Sequence, residues 1–237
     1  MKVAIIDADL IGRDKHRFPN LVCMKLSGYY KELGHDVELV TDYADLYYDK
    51  TLWSDYQVAE EMYVKEYKDT GKFNSNMLGE KMIPCFKEEN IKFDKIFISK
   101  VFTDTPIDED FLTLSNVEYG GTGFFYDKAP KLSEELEHHM PDYHLYDDWV
   151  NEQINGGKKR SDFKYYLDYS IGFTTRGCFR QCEFCVNRNY KKVDCHSPLS
   201  EFYDPSRKKI CLLDDNILGS PHWREIFEEL QATGKPF

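Results

Sequence analysis

The sequence contains no run of about 18 or more apolar residues, so no stretch of it reads as a membrane-spanning helix. It also lacks any internal repeat or low-complexity tract, which excludes solenoid and fibrous architectures and leaves ordinary packed domains. Positive charge is in deficit. With 31 Lys and Arg against 42 Asp and Glu, the formal net charge is −11, which disfavours indiscriminate binding to nucleic acid or to an anionic membrane. The amino terminus, MKVAIIDADL, carries one lysine and a short apolar run that passes straight into aspartates. A signal peptide needs a longer apolar region ending in small residues, so a first buried strand and a cytoplasmic protein are expected.

What is present supports real cores: 237 residues, 41% of them hydrophobic and 15% aromatic, accommodate two domains of moderate size. Seven cysteines in a reducing compartment do not make a disulfide framework. Three of them fall within eight residues, while Cys23, Cys85, Cys195 and Cys211 are scattered. Clustering of this kind points to metal binding or redox chemistry. Cys23 and Cys211 sit in apolar patterns and read as small buried hydrophobes.

Hydrophobic periodicity organises the first half. Residues 2–6 form an apolar strand, residues 21–33 an amphipathic helix begun by Pro19-Asn20 and ended by Gly34, and residues 37–41 a second strand. This βαβ unit predicts a parallel, layered α/β sheet, a Rossmann-like (flavodoxin-like) domain. Residues 57–68 are expected as a helix, 94–99 as a buried strand, 108–114 as a short helix and 117–119 as a strand. That strand runs into Gly120-Gly121-Thr122-Gly123, which serves either a sharp turn or the close approach of a ligand. From 127 to 168 the chain is acidic, aromatic and broken by Pro130, Pro141 and Gly156-Gly157, as expected of a connecting helix and linker. His138, His139 and His144 there lack further ligands at metal-binding spacing.

A second α/β pattern opens at Tyr169, with strands expected at 169–174 and 210–213 and a helix at 221–230. Between Lys158 and Lys192, nine basic residues face Asp162, Asp168 and Glu183, which is either a solvated surface or a local field for an anionic ligand. Between the two strands lies Cys178-Phe179-Arg180-Gln181-Cys182-Glu183-Phe184-Cys185, spaced C-x3-C-x2-C. Three thiolates on one tight loop can each bind a different iron of a cubane cluster, leaving the fourth iron open, as catalytic metal sites require. The alternative is zinc, with Cys195 or His196 completing a tetrahedron.

Cys178, Cys182 and Cys185, with the aromatic Phe184 before the third cysteine, closely resemble the radical S-adenosylmethionine superfamily. Thr174-Thr175-Arg176-Gly177 ahead of the motif and Val186-Asn187-Arg188 behind it look like the same family. The resemblance implies a [4Fe–4S] cluster whose open iron chelates S-adenosylmethionine and cleaves it reductively to methionine and a 5′-deoxyadenosyl radical. It implies an electron donor such as flavodoxin or ferredoxin. It places Phe184 near the adenine and Asp214-Asp215-Asn216 where the family binds the methionyl amino group; a capped strand-end turn is the alternative for that run. It also implies that 169–237 is the start of a partial (β/α) barrel. Two βα units fall short of a full barrel, so a complementing carboxy-terminal chain is a candidate partner.

Residues 1–126 resemble the cobalamin-binding-like domain that precedes many such barrels, with 127–168 as linker. Relatives that ligate cobalt from below use Asp-x-His-x-x-Gly after the first strand, and the histidine position here is Asp9, in Asp7-Ala8-Asp9-Leu10-Ile11-Gly12. Base-on cobalamin through this motif is therefore not expected, leaving cobalamin without a lower ligand or a cofactor-free recognition domain. Two function classes follow: an enzyme, or the front part of one, that makes substrate radicals, and a non-enzymatic module using the cysteines structurally.

Overall fold

A computed structural model of the chain describes residues 1–71 and 87–237; Cys85 lies outside them. The chain opens with β1 (Lys2–Asp7), the short α1 (Ala8–Gly12), α2 (Leu21–Glu32) and β2 (Asp36–Leu39), then α3 (Thr51–Thr70), β3 (Lys95–Ser99) and β4 (Val117–Gly120). These strands form a wholly parallel sheet in the order β2-β1-β3-β4. Alternation along β1 builds both faces. Val3 and Ile5 pack with Cys23, Met24 and Leu26 of α2 on one side. Ala4 and Ile6 pack with Trp53 and Tyr56 of α3 on the other. The expected Rossmann-like layering is present.

Three local differences from the sequence reading have physical causes. α3 begins at Thr51, ahead of residue 57, where the Asp49 carboxylate accepts both the Thr51 N–H and hydroxyl (3.0 and 2.8 Å) and turns the chain into the helix. The helix expected at 108–114 is a single 3-10 turn, Asp110–Thr113, anchored by the buried Phe111. The expected linker, residues 127–168, is built into the first unit. After α4 (Thr122–Phe125), it carries α5 (Glu134–Glu137), α6 (Asp147–Asn155) and α7 (Lys164–Leu167). Its Tyr143, Leu145, Tyr146, Val150, Phe163 and Tyr166 complete the core on the α2 face, which one helix cannot cover alone.

The second unit comprises β5 (Tyr169–Gly172), β6 (Thr175–Arg176), β7 (Asp194–Cys195), β8 (Lys209–Leu212) and α8 (Trp223–Ala232). β5 and β8 pair in parallel, and β6 and β7 form a small antiparallel ladder. Ile210, Ile226, Leu230, Leu199 and Phe202 make its core. The described residues thus form a two-stranded parallel pair and not a closed barrel. Among them, no helix is long and apolar enough to cross a membrane.

Buried polar groups seam the two units together. The Tyr143 hydroxyl donates to the Phe202 carbonyl (2.6 Å) and accepts the Ile171 N–H (2.7 Å). The buried Arg207 guanidinium donates to the carbonyls of Tyr166 and Tyr143 (2.6 and 2.5 Å). Substituting Tyr143→Phe strands a buried N–H and a buried carbonyl, and should cost about 1–3 kcal/mol. Urea unfolding measures this; an unchanged midpoint would show that the seam carries no stability.

Candidate functional site

β5 ends at Gly172, and the chain turns through β6 into the cysteine loop. Gly177, φ +95°, makes that entry; a Cβ there would stand 2.5 Å from the Lys192 carbonyl oxygen, so only glycine fits. Gln181, φ +51°, provides a second left-handed step inside the motif and tightens the path from Cys178 to Cys182. The Cys185 N–H then donates to the Cys182 carbonyl (3.0 Å), and the Asn187 N–H donates to Cys185 Sγ (3.4 Å). All three thiols are free and partly exposed. The loop closes where β7 pairs with β6, Thr175 opposite Cys195.

The three residues at the end of β8 have different situations. Asp214 is committed: its carboxylate accepts the N–H and hydroxyl of both Thr174 and Thr175, with 3.1 Å for the Thr174 N–H and 2.9 Å for its hydroxyl. Asp215 is exposed and, among the described residues, accepts Asn187 Nδ2 (2.7 Å), directly beside the cysteine loop. Asn216 leads into a 3-10 turn, Ile217–Gly219, and its Nδ2 is buried without a hydrogen-bond partner among the described residues. Phe184 is 86% exposed.

Residues the sequence did not single out hold this loop to the first unit. The Tyr126 hydroxyl donates to the Phe184 carbonyl (3.0 Å), and Tyr126 itself has φ +52°, a conformation seldom adopted outside glycine. Asp127 accepts Arg188 (Nη2, 3.1 Å) and Asn189, and the Arg188 hydrogen bond holds its carboxyl below the usual range. At the loop's root, Arg176 Nη2 and His196 Nε2 both lie 2.9 Å from Glu137 Oε1, and the Lys25 ammonium lies 3.9 Å away. Burial pushes the Glu137 carboxyl up, but the His196 hydrogen bond and the Lys25 and Arg176 charges outweigh it and take it down to about 2. The glycines after β4 serve packing: a Cβ on Gly121 (φ +106°) would stand 2.3 Å from the Lys100 carbonyl oxygen.

The remaining candidates are engaged elsewhere. Asp9, at the cobalt-ligand position, is fully buried and accepts the N–H groups of Val101 (2.6 Å) and Phe102 (3.4 Å) and the Thr105 hydroxyl. It presents nothing to a cobalt ion, so the residues do not fit base-on cobalamin. His138, His139 and His144 pair with Glu201, Glu32 and Asp147 at 2.7, 2.8 and 2.7 Å.

Among the described residues, no three His, Cys, Asp or Glu side chains converge as ligands of one metal ion. A cubane does not require that convergence, since each thiolate takes its own iron. Three free thiols on one loop, one of them receiving an N–H hydrogen bond, are a donor set suited to such a cluster. Comparison with known proteins finds no matching family model, no matching curated protein and no matching solved structure.

The Glu137 cluster makes the loop's anchorage acid-sensitive. The folded carboxyl titrates near 2 instead of its ordinary 4.5, so its stabilising contribution is complete above about pH 4.5 and is lost as pH falls toward 2. The advantage of the native protein over Glu137→Gln, on the order of a few kcal/mol near pH 5, should therefore shrink as pH is lowered. Urea midpoints across that range test it; a pH-independent difference would contradict it.

Proposed function

We propose that this chain is an iron–sulfur protein of the radical S-adenosylmethionine kind. In this reading Cys178, Cys182 and Cys185 hold a [4Fe–4S] cluster with one iron left to S-adenosylmethionine. The observation that carries the proposal is the set of three free thiols spaced C-x3-C-x2-C on one loop beyond the carboxyl end of β5, with the β8 carboxylates beside it. When bound, such a cluster supplies the electron that cleaves S-adenosylmethionine to methionine and a 5′-deoxyadenosyl radical, the electron itself coming from a donor such as flavodoxin or ferredoxin.

The chain's own residues have distinct tasks in this reading. The thiolates ligate iron as soft donors, and the Asn187 N–H on Cys185 Sγ stabilises that sulfur's negative charge. Asp214 fixes where β5 stops and the loop starts, since its oxygens are taken by Thr174 and Thr175. Asp215 is the carboxylate with room to accept a ligand's ammonium group, which assigns it the methionyl amino group. The exposed Phe184 ring is available to cover the adenine once that ligand is present.

Anaerobic reconstitution with iron and sulfide should yield about four of each per chain with a reducible brown chromophore, and Cys182→Ala should lose it. Retention of full iron by Cys182→Ala, or tight zinc with no colour, would overturn the proposal. Asp215→Ala should retain the cluster and bind S-adenosylmethionine roughly tenfold more weakly by equilibrium dialysis. Unchanged affinity would remove Asp215 from the site.

A further inference from the structure

Tyr126 holds a backbone conformation, φ +52° and ψ −121°, outside the regions open to residues that carry a Cβ. Such a conformation persists only where the surroundings over-determine it. Both sides do so here. Ahead of it, the Phe124 and Phe125 rings pack on Tyr119 of β4, with centroids 5.0 and 5.7 Å from the tyrosine ring. Behind it, Asp127 accepts Arg188 Nε and Nη2 (3.2 and 3.1 Å) and Asn189 Nδ2 (3.3 Å). The reversal between them sends the Tyr126 side chain across to the second unit, where its hydroxyl donates to the Phe184 carbonyl (3.0 Å). Tyr126 is exposed, so its ring buries little, and the hydroxyl is what the strained residue supplies.

That carbonyl belongs to the peptide joining Phe184 to Cys185. The N–H of the same peptide donates to the Cys182 carbonyl (3.0 Å). A peptide is planar, so holding both of its polar groups fixes its plane. Cys185 follows directly, and its Sγ accepts the Asn187 N–H (3.4 Å). The two limbs of the loop therefore differ. On the later limb, Phe184, Arg188 and Asn189 are each tied to the first unit by Tyr126 or Asp127. Among the described residues, no hydrogen bond or ion pair from the first unit reaches residues 178–183, where Phe179, Arg180, Gln181 and Glu183 are exposed.

We infer that Tyr126 is a positioning residue for the third cysteine. Its hydroxyl sets the 184–185 peptide, and with it Cys185, before a metal arrives. The limb bearing Cys178 and Cys182 is left to close on that fixed point. Only the role of Cys185 as a ligand rests on the iron–sulfur reading; the preset geometry belongs to the metal-free chain.

Tyr126→Phe removes one hydroxyl from an exposed ring and leaves the cores intact. In the metal-free full chain, amide hydrogen exchange followed by NMR should show the Cys185 N–H exchanging about tenfold faster in this variant. The Ile171 N–H and the thermal midpoint should match the native chain, which separates positioning from general destabilisation. Tyr119→Phe, which removes the hydroxyl of another exposed first-unit tyrosine, should leave Cys185 unchanged. After anaerobic reconstitution, Tyr126→Phe should keep full iron while the paramagnetic resonance spectrum of its reduced cluster differs from the native one. Unchanged exchange at Cys185, acceleration throughout with a lower midpoint, an equal effect of Tyr119→Phe, or an identical cluster spectrum would each overturn the assignment. If the native chain assembles no cluster, the iron–sulfur reading falls, and the exchange comparison still decides whether Tyr126 presets the loop.

Discussion

The arrangement of the second unit rests on one carboxylate. Asp214 leaves the end of β8 and gathers the N–H and hydroxyl groups of Thr174 and Thr175. The parallel pairing of β5 with β8 brings it there: Gly172 lies opposite Leu212, and the Leu213 N–H extends the ladder to the Gly172 carbonyl (2.9 Å). Four donors on one carboxylate stop the strand at a fixed point and start the turn that delivers Cys178. The thiols and the exposed Asp215 consequently emerge at the same end of the strand pair.

The first unit acts on that loop as a scaffold. Glu137 holds Arg176 and His196 at the two sides of the β6–β7 ladder, Tyr126 holds the Phe184 carbonyl, and Asp127 holds Arg188. None of these contacts touches a thiol, yet together they restrict the segments before, within and after the motif. Asp9, just past β1, is taken up by the N–H groups of Val101 and Phe102, so that polar position is structural. The contacts to the second unit give the first unit the role of supporting the cysteine loop.

Much of this was legible from local patterns. The alternation in KVAIID and the apolar face of residues 21–33 specified a parallel layered unit because burial on both faces of a sheet leaves a periodic record. The placement of three free thiols on one loop after β5 was legible because their spacing is local in the sequence. The role of 127–168 was not, since Pro130, Pro141 and the glycine pair look like a linker, while Tyr143, Tyr146 and Tyr166 are core only by contact with residues far away in sequence. The division of labour between Asp214 and Asp215 was equally hidden, because neighbouring aspartates differ only in what folds against them. Glu137, Tyr126 and Asp127 left no sequence signal; each acts on a partner more than 35 residues away.

The central claim is that three thiolates from one loop hold a cluster and leave one iron to an external ligand. Mössbauer spectroscopy of protein reconstituted with iron-57, recorded with and without S-adenosylmethionine, tests this at the level of individual irons. The account predicts that one iron in four changes to nitrogen and oxygen coordination when the ligand is added, while the other three stay thiolate-bound. Four irons that all ignore the ligand, or a spectrum lacking a cubane, would contradict it.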